Sequence, residues 1–509
     1  MVIMISVRPG GLPRNVAVLL LLAAPAVTAR AEWTVTPTIR VRESYSDNYN
    51  LAPPEQARGQ FTTEVSPGIR VSTSTPRLQL ALSYTLQQIA YSHQPDRTGQ
   101  QLDAHGHGEI VPDWLFLDAS ATISAYNVSA FGPQLLDPTQ STSNGRTVRS
   151  RVLSPYLRHY FRGLATAVLR HDDQHTGSGG LLDVRSKATT LQLTGDNGGK
   201  GMNWDLNLRH VQTDDAAQTP ITMEDVNLTL SYPVNTSIGT FVTAGYEKHD
   251  FHALGAAPRG KSGSVGGVWT PSPRTRLAAS IGHRYFGKTY SLDAGYRLRN
   301  MFWTLNYSED ITSTHGEFLS LPPAALSDFL YDLWATRIPD PHKRRQAIQL
   351  FLAISQMLGQ NGNVNFFSHR YYLQKQARLS GVYSTPRTTV ALHLASTGRT
   401  AQTSSAIDSA LLGQDQLMLT DRTRQDSIQL GWSWRMSARG TVTLGVSHSR
   451  ARSLSTGRED HNRVLSLNLA RQLSSRINGT IDIRHAHHTS NHGGNYHENS
   501  VGAALTLTF

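Results

Sequence analysis

The sequence predicts an all-β protein: a transmembrane antiparallel β-barrel of about 22 strands, within about 18 to 26, with a two-helix insert. Three observations predict it. Runs of about ten to fourteen residues alternate apolar and polar side chains, a period that belongs to strands. The connections between runs alternate between tight turns and long polar segments. The chain also ends on SVGAALTLTF, a strand with one greasy face and one small, polar face.

The order of elements starts with a leader. MVIMISVRPGGLPRN carries Arg8 and Arg14 without an acid, VAVLLLLAAPAV is apolar, and Ala29-Arg30-Ala31 offers small residues for cleavage. Residues 1–31 therefore read as a cleaved signal peptide, too short for a spanning helix, and 32–509 as a single barrel domain. With no cysteine, disulfides, thiolate metal sites and cysteine nucleophiles are excluded. The formal charge of +11 falls by three, to +8, when Arg8, Arg14 and Arg30 leave with the leader. An exported basic chain meets outer-membrane lipid, lipopolysaccharide or acidic polysaccharide, and no nucleic acid. A hydrophobic content of 39% fits a wall in which only every second residue faces lipid.

WLFLDASATISAY sets Leu115, Leu117, Ala119, Ala121 and Ile123 against Asp118, Ser120, Thr122 and Ser124. GMNWDLNLRH, DSIQLGWSWR, TVTLGVSHS and RINGTIDIRH repeat the arrangement. Tight turns rich in Pro, Ser, Gly and Arg fall at 73–78, 111–114, 232–237, 270–275, 383–388, 435–440 and 471–476. Long polar segments fall at 46–60, 128–145, 174–184, 251–260, 399–422 and 488–496. Trp114, Trp204, Trp269, Trp303, Trp432 and Trp434 sit on the apolar face near strand ends, the place of an interfacial girdle.

Residues 324–360 break the pattern. Ser327 can cap a helix with Phe329, Leu330, Leu333 and Trp334 on one face; Asp340-Pro341 can open a second bearing Ile348, Phe351 and Leu352. His342, Lys343, Arg344 and Arg345 crowd its first turn, where the helix dipole disfavours cations. The insert lies on the long-loop side. It is expected to act as an extracellular lid or a lumen plug through Leu333, Trp334, Arg344, Arg345 and Phe351.

Parity assigns the lumen wall. It includes Glu64, Arg70, Asp118, Asp205, Arg209, Asp225, Glu247, Arg276, Arg284, Arg435, Asp482 and Arg484, charges of both signs rather than a single-sign filter. At the end of the chain, Val501, Ala503, Leu505 and Leu507 are expected toward lipid. Gly502, Ala504, Thr506 and Thr508 are expected inward, and Phe509 stands as the assembly signal read by the outer-membrane insertion machinery.

HAHHTSNHGGNYHEN gathers His485, His487, His488, His492 and His497 in what reads as the last long loop, without a recurring ligand spacing. The polar-loop reading outweighs a metal site, and no cofactor is expected. His105, His107 and Glu109 share one strand face, a still weaker pattern. There is no G-x-S-x-G nucleophile elbow and no phosphate loop; catalytic residues are assigned to none, and the chain reads as a non-enzyme.

EWTVTPTIRVRESYSDNYNLAP, FTTEVSPGIRVS and DWLFLDASATISAYNVSAFGP, with the later RIPDPHKRRQAIQLFLAISQMLG and NVNFFSHRYYLQKQARLSGVYSTPRTTV, carry a likeness. Over the whole mature chain the sequence resembles the outer-membrane β-barrel family associated with the PEP-CTERM and exosortase system. The sharpest matches are Ser46-Asp47-Asn48, Val65-Ser66-Pro67-Gly68 and Asp113-Trp114-Leu115-Phe116; Arg387-Thr388 departs from the usual arginine-asparagine. The resemblance implies an outer-membrane protein of Gram-negative bacteria encoded among exopolysaccharide biosynthesis genes, with exopolysaccharide or export components as partners. It implies no catalytic residues.

Together these readings lead to a passive conduit or accessory in exopolysaccharide or PEP-CTERM export. The alternative is a non-conducting surface protein that binds exopolysaccharide through its external loops. A lipid- or polysaccharide-modifying barrel enzyme stands third.

Overall fold

The computed structural model describes residues 33–137, 139–140, 142, 144–195, 201–255, 257–319, 367–408 and 414–509. The leader and the two helices expected over 324–360, with Leu333, Trp334, Arg344, Arg345 and Phe351, lie outside the described residues.

The alternating runs are strands. The first eleven are β1 (Thr34–Ser46), β2 (Gln60–Ser74), β3 (Leu78–Tyr91), β4 (Arg97–Val111), β5 (Leu115–Asn127), β6 (Gly145–Phe161), β7 (Ala165–Ser178), β8 (Leu182–Gly195), β9 (Asn203–Asp215), β10 (Ile221–Pro233) and β11 (Ile238–His249). The rest are β12 (Arg259–Ser272), β13 (Thr275–Arg284), β14 (Gly287–Arg297), β15 (Met301–Ser313), β16 (Tyr371–Ser384), β17 (Thr388–Ala401), β18 (Arg422–Ser437), β19 (Gly440–Ser453), β20 (Glu459–Gln472), β21 (Ile477–Ser490) and β22 (Tyr496–Thr508).

Each strand pairs antiparallel with its neighbours in sequence, and β1 pairs with β22 from Thr38 opposite Thr508 to Ser46 opposite Ser500. The sheet of 22 strands is thereby closed, which removes both edges and satisfies the backbone polar groups that lipid cannot. Pro67 has no N–H to give, and the β2–β3 register accordingly skips Ser66 and Pro67.

Parity holds around the wall. Val501 and Leu505 are 48% and 55% exposed to the outside, whereas Ala504 between Val41's neighbour Arg42 and Thr480 is 5% exposed. All six predicted tryptophans point outward or sit at turns, and all lie toward the tight-turn end. Trp303 lies across Gly381 of the next strand, where a Cβ would come within 2.4 Å of its ring; only glycine allows that approach.

Tight turns such as 75–77, 112–114 and 385–387 gather at the end where β1 begins and β22 finishes; the longest connections gather at the other, beside the short turns 179–181 and 285–286. The long connections are shorter than the sequence suggests, because the strands run on. Segment 174–184 contracts to 179–181, and 488–496 to 491–495. A six-residue helix, α1 (Thr314–Leu319), opens the connection between β15 and β16, and 3-10 turns at Ser405–Asp408 and Gln414–Thr420 occupy that between β17 and β18.

Candidate functional site: a mouth tied across by inward loops

The connection 128–144, between β5 and β6, folds into the lumen and reaches the far wall. Its shape comes from its own side chains: Asn144 bridges Ser129 and Pro133, Asn127 accepts from the Leu135 N–H at 2.8 Å, and Gly132 turns at φ 81°. Asp137 is the centre of its anchorage. It sits 2.8 Å from Arg42 Nη1 of β1 and 3.6 Å from Arg484 Nη1 of β21, and its second oxygen accepts from the N–H and hydroxyl of Thr139.

The network spreads from there along the lumen wall. Arg42 also pairs with Asp482 at 2.8 Å, and Arg484 with Glu498 of β22 at 3.0 Å. Glu498, fully buried, accepts further from Gln140 Nε2 and Ser46. Farther along the loop, the Gly132 N–H donates to Asp460 of β20 at 2.7 Å, and Phe131 packs with Leu419 and Ala451. The loop thus spans from β5 to β19, passing β3 through a hydrogen bond from Tyr91 to the Thr139 carbonyl.

Asp137 is buried, which by itself would raise its carboxyl. Arg42 and Arg484 overcome that and hold it well below the usual carboxylate range. The anchoring charge therefore survives acidification through the range where an ordinary aspartate is neutralised.

A second knot joins the first. The Phe367 N–H donates to the Val128 carbonyl, and residues 367–370 then enter β16. Arg370 is 1% exposed and donates to the Thr403 carbonyl, Thr420 and Asp421. Ser368 and the His369 N–H both bond Asp408, while His369 Nδ1 meets Asp215 of β9 at 2.7 Å. Arg399 pairs with Glu317, and Phe251 stacks on Tyr371 at 4.9 Å. Four connections are drawn together, those after β9, β11, β15 and β17.

His315 of α1 is buried beside this knot, with neither ring nitrogen bonded among the described residues. Desolvation pushes its pKa down to about 4. An unfolded histidine takes a proton near 6.5 and the folded one refuses it until about 4. Stability therefore falls as pH drops through that interval, by about 3 kcal/mol in all. His315→Leu should abolish this slope in denaturant unfolding measured between pH 7 and pH 4; an unchanged slope would place the acid sensitivity elsewhere. His369 runs the other way. Burial opposes its charge, but Asp215 prevails and raises its pKa, so its contribution is complete below about 6.5 and is lost as pH rises through the raised value.

All twelve parity-assigned residues lie on the lumen face. Most are in pairs: Asp118 with His107 and Arg170, Glu247 with Arg284, Arg284 with Asp310, and Arg276 with Asp293. Asp225 bonds His249, Asp205 accepts from Gln192 and Thr194, and Glu64 accepts from Gln87 and Ser66. Arg209 stands opposite Asp225, Arg435 opposite Thr441 near the tight-turn end, and Arg70 opposite Ser83. Among the described residues, Asp482 and Arg484 are the two of the twelve that touch the tied mouth. Arg42, Asp137, Glu498, Arg370 and Asp408 complete the tied mouth and lie outside the twelve. Parity on β1 would have placed Arg42 inside, but no local pattern marks Asp137.

The histidine-rich segment is corrected in place. His485, His487 and His488 lie on β21, not in a loop, and alternation sends His488 to the lumen and the other two outward. Among the described residues no three metal-ligating side chains converge. Ser380 and His393 meet at 2.9 Å on the lumen wall, but the charge acting on that histidine is Arg378, not an orienting carboxylate. Phe509 follows the last rung, its N–H donating to the Pro37 carbonyl at 3.1 Å.

A closed antiparallel barrel with a lipid-facing apolar band, an aromatic girdle and a polar lumen defines the outer-membrane class of transmembrane barrels. No protein-family model and no curated protein matches the chain. Among solved structures it is similar to the siderophore receptor PirA from Pseudomonas aeruginosa, at 7% identity and TM-score 0.45 over 93% of this chain and 80% of that one. It is also similar to the outer membrane protein OpdK from the same organism, at 8% identity and TM-score 0.34 over 94% and 99%. A BenF-like porin from Pseudomonas fluorescens gives 7% and 0.34 over 93% and 99%. Likeness at this level carries no weight for function; the barrel rests on its own closed ladder.

Proposed function

We propose that the protein is an outer-membrane conduit whose bore is set by the tied loop 128–144, and that it serves the export of exopolysaccharide. One observation carries the conduit: a loop held across the lumen by the buried Arg42–Asp137–Arg484 contacts, inside a wall lined by charges of both signs. Lipid cannot reach these groups, so their elaboration belongs to the inside of a pore. The polymer assignment rests on the resemblance of the mature chain to the barrel family of the exosortase system.

The test is electrical and genetic. The purified barrel in planar bilayers is expected to conduct weakly, and short fragments of the host polymer should interrupt the current. Deleting the gene should stop polymer reaching the surface, and this chain should restore it. Zero conductance, with polymer still secreted but no longer retained on cells, would move the function to surface binding through the outer loops.

A further inference from the structure

The outer wall over β18–β22 changes character sharply along its height. One row of outward side chains across the ladder is Trp432, Leu444, Leu467, Ile483 and Val501. Four residues nearer the long-loop end of each strand, the row reads Ile428, His448, Arg463, His487 and His497. Above it stand Asp426, Arg450 and His461, then Arg424, Arg452 and Glu459. The apolar band ends here, at the height where an outer-leaflet headgroup begins.

Among the described residues, the arginines outnumber the carboxylates that neutralise them. Arg450 and Arg452 share the single carboxylate of Glu459, at 2.6 and 3.3 Å, and His461 takes a third contact with it at 2.7 Å. Arg424 has Asp426 at 3.2 Å. Arg422 and Arg463 form no ion pair among the described residues, and both are exposed. Nδ1 of His448 and of His461 are shielded from solvent without a hydrogen-bond partner, their rings 5.6 Å apart. Neighbouring strands are about 4.8 Å apart and same-face residues about 7 Å, so Arg450, Arg452 and Arg463 lie within reach of one compact multivalent anion.

We infer that this wall is a built site for the phosphate groups of an outer-leaflet glycolipid, gripped by Arg450, Arg452 and Arg463. Arginine rather than lysine suits the task, because the guanidinium fork is weakly hydrated and bonds phosphate bidentately. The wall over β11–β14 makes the contrast: Lys248, Lys261 and Lys288 stand there on three of the four strands, with the single arginine Arg259 opposite Lys248, which already pairs with Glu224. A smaller arginine group, Arg149, Arg151 and Arg185, occurs on β6–β8, with Arg185 already held by Asp173. The inference rests on the outer-membrane reading of the barrel but not on conduction, so a silent bilayer would leave it standing.

The experiment is residue-resolved modification of arginines with phenylglyoxal, read by mass spectrometry on the detergent-purified barrel. Bis-phosphorylated lipid A should slow modification of Arg450, Arg452 and Arg463 by about fivefold or more. Dephosphorylated lipid A, or inorganic phosphate at the same concentration, should not. The variant Arg450→Gln/Arg452→Gln/Arg463→Gln should bind lipid A at least about tenfold more weakly, following the roughly fivefold that each surface cation contributes to an anionic lipid. Lys248→Gln/Lys261→Gln/Lys288→Gln removes as much charge elsewhere and should leave the protection of Arg450, Arg452 and Arg463 within about twofold of the natural protein. Equal protection by the dephosphorylated lipid or by inorganic phosphate would overturn the assignment, as would no protection at these three arginines.

Discussion

Asp137→Ala is expected to raise the single-channel conductance several-fold while leaving the barrel assembled. The substitution removes the buried carboxylate that Arg42 and Arg484 share and that ties the loop to them. Breaking a buried pair costs about 3–5 kcal/mol when the remaining charge has no other partner; each arginine here keeps one carboxylate, so the cost is at most about 3 kcal/mol. That cost falls on the tied position of loop 128–144, since every ladder bond of the wall is untouched. Release of the loop is the way to relieve it, as Arg42 keeps Asp482 and Arg484 keeps Glu498 once water enters. Asp137→Asn keeps the shape without the charge and should fall between the two. The contacts are buried, so added salt should reproduce little of the effect. Conductance unchanged in Asp137→Ala, with the protein still inserted, would show that this loop does not set the bore.

Leu505→Arg is expected to destabilise the assembled barrel by about 1–3 kcal/mol, the cost of a cation on a lipid-facing wall between the midplane and the interface. Leu505 is 55% exposed to the outside, opposite Val41 across the β1–β22 seam and opposite Gly479 on β21. Thr506→Arg, one residue on, turns into the lumen beside Asn478 and Arg40 and should cost far less. Denaturant titration of both variants refolded into lipid vesicles reads the difference. Equal losses would contradict the parity of the closing strand and, with it, the seam.

Much of the wall is readable from the chain. A period of two needs no tertiary information, so Trp432, Ile481 and Leu505 outside and Asp118, Glu247 and Arg484 inside follow from counting along each run. The tight turns are equally local, because Pro, Gly and Ser act on the backbone within three or four residues. The ends of strands are harder to read. Segments 174–184 and 488–496 are as polar as loops, yet above the lipid a strand is free to be polar on both faces. His485 and His487 therefore look like loop residues and sit on β21.

The site is less legible than the wall, for a different reason. Asp137 bonds partners 95 and 347 residues away in sequence, and nothing in DPTQ distinguishes it from a solvated turn. Arg370 looks like one more arginine before a strand, but it is fully enclosed by the connection between β17 and β18. The arginines of the outer wall were individually visible in RTRQD, HSRARS and HNRVL. Their adjacency depends on the register of β18, β19 and β20.

Alternation along each strand, a property of the extended backbone, dictates on its own that this chain forms a lipid-facing wall with a polar inside. It also dictates which side chain takes which face. Closure of β1 on β22 decides the rest. Bringing the two ends of the chain side by side places Arg42, Arg484 and Glu498 on one patch of wall, and only against that patch can a loop from β5 find the charges that hold it across the mouth.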